Sequence, residues 1–192
     1  MKIINSEKKL NNKGFSLIEL IVVIAVMAIL VGVAMVTASM LDSSYVEDAE
    51  MGVKDYIGMA RTKSMSVSAK DWYVNISKDG ANYYAYLYKT IEERVESGSS
   101  VTYTTRTVLV EKRDLGNKIT MKYGVATDDM KIIDAAMNLE LHFDAATGKV
   151  CKVIYGGIEQ SVASGIGYIG IKKSDYDITL KVFYNTGKCE RE

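Results

Sequence analysis

KGFSLIELIVVIAVMAILVGVAMVTASML, residues Lys13 to Leu41, is the stretch whose reading decides the rest of the chain. After Phe15 it is apolar except for Ser16, Glu19, Gly32, Thr37 and Ser39, and from Leu20 to Leu41 it carries no charge. Twenty-two helical residues reach roughly 33 Å, enough to cross the hydrocarbon core of a bilayer. Before Phe15 stand Lys2, Lys8, Lys9 and Lys13 against Glu7 alone. Basic flanks stay on the cytoplasmic side, so the long remainder from Asp42 to Glu192 is expected on the other face of the membrane.

A cleaved secretory signal is the plainest competitor, with Val36-Thr37-Ala38 as its small-residue cleavage site. The apolar run is about twice as long as such signals need, and it holds a carboxylate. A carboxylate near the centre of a membrane helix costs about 2.5–3.5 kcal/mol and is therefore rare unless paired or functional. Glu19 has two readings. One is a first-turn acid that complements the helix dipole. The other joins it to the Gly14–Phe15 bond, because cleavage there creates an amine one turn away on Phe15. That amine can pair with Glu19 of a neighbouring subunit and set the register between packed helices.

Lys13-Gly14-Phe15-Ser16-Leu17-Ile18-Glu19-Leu20 resembles the prepilin motif of type IV pilins and type II secretion pseudopilins. The resemblance implies cleavage between Gly14 and Phe15 by a prepilin peptidase and N-methylation of Phe15. It also implies that Glu19 assists assembly. The implied partners are other pilin or pseudopilin subunits in a homo- or hetero-oligomeric filament, the membrane platform with its assembly ATPase, and the lipid bilayer. The implied location is the cytoplasmic membrane, single-pass with the N-terminus inside, and then a surface filament. Many family members place a Pro partway along this helix, but this chain has no Pro. Gly32 alone weakens the apolar helix, by about 1 kcal/mol relative to Ala.

The expected organisation is a leader over 1–14, an apolar helix over 15–41, an amphipathic helix over 42–68, and an antiparallel β domain over 69–192. Val46, Ala49, Val53, Tyr56 or Ile57, Ala60, Ser64 and Val67 recur at three- and four-residue spacing, with charged residues on the other faces. One continuous helix from Phe15 to Ser68 follows, its stripe laid on a sheet. The fold class is α+β.

Beyond Lys70 the period changes to two, and thirteen Tyr against three Phe fit half-buried strand positions. Strands are expected over Asp71–Ser77 and Asn82–Lys89 about an Asp79-Gly80 turn. Further strands are expected over Val101–Lys112, Lys118–Tyr123, Leu139–Asp144, Lys149–Tyr155, Gly167–Lys172 and Asp177–Tyr184. Thr90–Glu96 reads as a charged segment, Ser97–Ser100 as a loop, and Asp128–Met137 as a short helix or an irregular crossing. Glu140–Lys149, Ile169–Lys172, Ile178–Val182 and Asn185–Lys188 resemble the C-terminal strands of the GspH/FimT minor pilins.

No catalytic constellation assembles. His142 is the single His, and it falls in an alternating strand, as a structural or surface residue does. One His and two Cys give no zinc spacing. The glycines at Tyr155-Gly156-Gly157 and Gly165-Ile166-Gly167 open no helix, so they read as turns or bulges rather than a phosphate loop. No enzyme activity, cofactor or metal is expected. Cys151 and Cys189 are a candidate disulfide because both fall outside the membrane span, with buried free thiols as the competing reading. DNA is the weaker alternative partner, since some GspH/FimT proteins act in DNA uptake. Lys172, Lys173, Lys181, Lys188 and Arg191 would serve it, but Asp175, Asp177, Glu190 and Glu192 interleave with them. An uncleaved membrane-anchored binding domain is the other alternative.

Overall fold

In a computed structural model the described residues are 16–66, 71–97 and 100–192, with the side chains of 34–39, 97 and 100 left aside. The leader over 1–14, the Gly14–Phe15 bond, Val67, Ser68 and the centre of the Ser97–Ser100 loop lie outside them. Two compact units divide the chain at Met40 and Leu41. Helix α1 runs over Leu17–Ser66, in close agreement with the continuous helix expected from the sequence.

In the second unit α1 supplies Val46, Ala49, Val53, Tyr56, Ile57 and Ala60 to the core, each at most 2% exposed. Tyr56 and Ile57 are both buried, so the stripe is wide enough at that level to hold two neighbouring positions. Ser64 continues the stripe as a buried hydroxyl. It donates to the Arg61 carbonyl at 2.8 Å and to the Asp144 carbonyl at 3.4 Å, so its oxygen is not stranded among apolar groups.

Among the described residues the remaining elements are strands: β1 Asp71–Asp79, β2 Asn82–Ser97, β3 Ser100–Gly116, β4 Thr120–Gly124, β5 Lys131–Ile132, β6 Leu139–Phe143, β7 Val150–Tyr155, β8 Ile158–Gln160, β9 Ile166–Lys173, β10 Tyr176–Phe183 and β11 Lys188–Arg191. They form two antiparallel sheets, ordered β3-β2-β1-β6-β7-β8 and β11-β10-β9-β4-β5. Strand alternation does the sorting. Trp72, Val74 and Ile76 of β1, Ala85 and Leu87 of β2 and Leu139, Leu141 and Phe143 of β6 turn inward. Ile169, Ile171, Ile178, Leu180 and Val182 do the same from β9 and β10, and one core joins both sheets to the helix stripe. Every residue of that core lies between Val46 and Tyr184, so the second unit holds its core within itself.

The seam between the sheets is made by tyrosines. The Tyr123 and Tyr184 hydroxyls meet at 2.7 Å in the interior, the Tyr155 hydroxyl donates to the Ile132 carbonyl at 2.7 Å, and the Val150 N–H donates to the Tyr184 carbonyl at 2.8 Å. Burial raises the Tyr184 phenol well above its ordinary range, with the Tyr123 hydroxyl adding to it. Gly167 makes this seam possible, because a Cβ there would run into the Tyr184 hydroxyl.

Two segments differ from the sequence expectation. Thr90–Glu96 is not a separate charged segment, since β2 continues through it to Ser97 and β3 answers from Ser100. Beyond Thr90, β1 no longer pairs with β2, so both faces are wet and the sequence need not alternate there. Asp128–Met137 forms no helix. Ile133 is buried and its N–H donates to the Met121 carbonyl at 2.9 Å, while the Asp134 carboxylate accepts from the N–H groups of Ala136 and Met137 at 2.8 Å. That local turn competes with a helix. The short strands β5, β8 and β11, at two to four residues, carry too little periodicity to be read in advance.

Candidate functional site

Ser16 and Glu19 open α1 with a reciprocal pair of bonds. The Ser16 N–H donates to Glu19 Oε2 at 2.8 Å, and the Glu19 N–H donates to Ser16 Oγ at 3.3 Å. The Ser16 carbonyl takes the first helical bond, from the Leu20 N–H at 3.2 Å. This is the Ser-x-x-Glu capping box, in which the side chains at a helix terminus satisfy two of its orphan N–H groups. Its signal stands in Ser16-Leu17-Ile18-Glu19, where the charge of Glu19 is more conspicuous than its hydrogen bonding. A carboxylate has about four acceptor positions, so Glu19 retains acceptor capacity while it caps its own helix.

From Leu17 to Val33 the large apolar side chains are 50–77% exposed on every face of the helix. A helix apolar all round has no polar side to give to water, which marks it for lipid or for packing against other helices. Among the described residues no helix is long and apolar enough to cross a membrane. The described apolar side chains reach about 25 Å, while the apolar sequence itself continues to Leu41.

The other candidates suggested by the sequence disperse. His142 on β6 is wedged between acids, with Nδ1 at 2.8 Å from Asp71 and Nε2 at 3.4 Å from Glu140. Its ring stacks on Tyr73 at 4.4 Å. Burial alone would lower the imidazole pKa, but the bonds to Asp71 and Glu140 outweigh it and raise the value from 6.5 to about 9. The His142 contact in turn holds the Glu140 carboxyl below its ordinary range, against its own burial. Near neutral pH both ring nitrogens therefore donate to carboxylates, and neither is left to accept a proton as a general base.

Cys151 and Cys189 are free thiols in the structure. Cys151, on β7, donates to the His142 carbonyl at 3.5 Å and lies near Asp71. Cys189, on β11, lies in a separate setting by Glu50 and Lys54 of α1, where burial pushes it to about 12. Strand-end positions in sequence do not say which way each side chain faces, and these two face different neighbours.

The lysines and arginine that could serve DNA are largely engaged. Lys173 pairs with Asp42 at 2.5 Å, Lys181 with Glu192 at 2.8 Å, and Arg191 with Glu50 at 3.6 Å. A phosphate-binding face needs such charges clustered and uncompensated.

Among known families, the prokaryotic N-terminal methylation motif matches the chain over residues 9–35. No curated protein and no solved structure matches the chain. The matched residues include the capping box and almost all of the exposed apolar turns. With a long N-terminal helix leading into an antiparallel β domain, the chain carries the N-terminal methylation motif of the type IV pilin and pseudopilin family.

Proposed function

We propose that the chain is a structural subunit of a type IV pilus-like or pseudopilus filament, acting by polymerisation rather than turnover. The observation that carries this reading is the helix from Leu17 to Val33, exposed and apolar on all faces, opened by the Ser16–Glu19 capping box inside the methylation motif. Prepilin peptidase would cut between Gly14 and Phe15 and the new Phe15 amine would be methylated. The 15–41 segment would sit in the cytoplasmic membrane with the leader inside, and then move into the filament core among the same segments of other subunits. The β domain from residue 69 would be displayed outward, carried on the amphipathic part of the helix.

Glu19 has a part in both settings. In the single chain it caps its own helix. In the filament its remaining acceptor capacity would meet the Phe15 amine of a neighbour, which neutralises two charges that lipid or a dry helix bundle would otherwise penalise. The test is co-expression of the chain with its assembly machinery, followed by shearing. Glu19→Ala should be cleaved normally yet be depleted from the sheared filament fraction. Equal recovery of Glu19→Ala and the parent in that fraction would overturn the pairing.

A further inference from the structure

The outer edge of β3 is the longest unpaired strand edge among the described residues. β3 spans seventeen residues and ends its sheet, pairing with β2 alone. β1 leaves β2 at Thr90, so Ile91–Ser97 and Ser100–Arg106 continue as a two-stranded ribbon without a third strand. At about 3.3 Å per residue that ribbon stands roughly 20 Å clear of β1. An isolated two-stranded ribbon is marginally stable in water. This one exposes Val95, Val101 and Tyr103, and Leu109 and Val110 lie exposed just below. The Thr102 and Thr104 hydroxyls donate back to the Val95 and Glu93 carbonyls, which ties the ribbon together but leaves the outer backbone edge of β3 without a strand. Few of the devices that usually blunt such an edge stand within Val101–Leu109, which contains no Pro, no Gly and one charge, Arg106.

We propose that β3 is a strand-addition site whose occupant is β3 of a second copy of this chain, paired antiparallel about Thr105. The choice of occupant rests on self-complementarity. Centred there, Val101 meets Leu109, Tyr103 meets Thr107, Thr102 meets Val108 and Thr104 meets Arg106, with no like charges opposed. Partners in this register fall on the same face of the sheet, as antiparallel pairing requires. The irregularity in the β2–β3 register, where Val110 has no opposite residue, lies just past the end of the paired stretch. The pairing would turn two six-stranded sheets into one continuous sheet. It uses the β domain alone and does not rest on the filament reading. A two-fold contact closes on itself, so in a filament built through the N-terminal helix it would join neighbouring filaments side by side rather than lengthen one.

The fragment Leu41–Glu192 contains the whole core and serves for the test, in a Cys151→Ser background that removes the exposed native thiol. Thr105→Cys should form a reducible covalent dimer under mild oxidation, because Thr105 faces its own copy. Thr102→Cys, opposite Val108, should not. Without any cysteine added, sedimentation should show a reversible dimer, weakened about tenfold or more by Thr105→Lys, which sets two ammonium groups face to face. Circular dichroism should stay unchanged, since Thr105 is exposed. A fragment that sediments as a monomer at every concentration, or that crosslinks as readily through Thr102→Cys as through Thr105→Cys, would overturn the proposal.

Discussion

The two ends of helix α1 are built from the same backbone and answer to different solvents. Around Val53 and Ile57 one face is sealed against two sheets while Asp48, Lys54 and Asp55 cover the rest. Around Ile24 every face is apolar and every face is exposed. The first pattern completes itself within one chain. The second is unfinished without lipid or other helices, and that difference separates the part that holds its own core from the part to which we assign assembly.

Matched aspartates test the difference at its strongest. In the full chain, Ile57→Asp should unfold the β domain, since an unpaired buried charge costs several kcal/mol, more than many domains can absorb. Ile24→Asp should leave the melting of the β domain in place and instead impair membrane retention and filament recovery. Thermal unfolding followed by near-ultraviolet circular dichroism, with fractionation of cells, reads both. Equal melting shifts for the two variants would break the comparison.

Within the folded part, the tyrosine seam should outweigh surface phenols. Tyr184→Phe strands the buried Tyr123 hydroxyl and should cost about 1–3 kcal/mol in urea unfolding, whereas Tyr103→Phe on the exposed ribbon should cost almost nothing. A smaller effect belongs to His142. Its folded pKa of about 9 exceeds the ordinary 6.5, so its contribution is complete below about pH 6.5 and is lost as pH rises through 9. Partial exposure reduces the gain to on the order of 1–2 kcal/mol. His142→Gln should flatten the stability profile between those two pH values, and an unchanged slope would show that the Asp71 and Glu140 contacts do not hold the proton. The smallest effect is at the helix end. Glu19→Ala removes one half of the capping box, worth about 1 kcal/mol, and should speed hydrogen exchange in the first turn without moving the melting point of the β domain.

These contrasts also mark what the sequence makes legible. Val46 through Ala60 announce their burial because helical spacing has a single solution, and Trp72, Val74 and Ile76 do so because strand alternation does. The extent of β2 past Thr90 is hidden, since a ribbon wet on both faces has no pattern to keep, whereas Val101–Lys112 of β3 is legible as a β-branched run. The proposed processing and assembly residues, Gly14, Phe15 and Glu19, are legible as chemistry in the sequence. The reciprocal bonding of Ser16 with Glu19 is legible too, in the Ser-x-x-Glu spacing, but the charge of Glu19 masks it. The fate of Cys151 and Cys189 is not legible, because side-chain direction near a strand end depends on register and on the packing of a helix far earlier in the chain.

The most direct measurement is the intact N-terminal mass of the protein recovered from membranes and from sheared surface material. The account predicts a chain beginning at Phe15 and heavier by about 14 Da, the mass added by one methyl group, in both fractions. A chain that still begins at Met1 would be an anchored domain with no filament to join, and one that begins at Ser39 would have lost the apolar helix altogether. Either result would contradict the account.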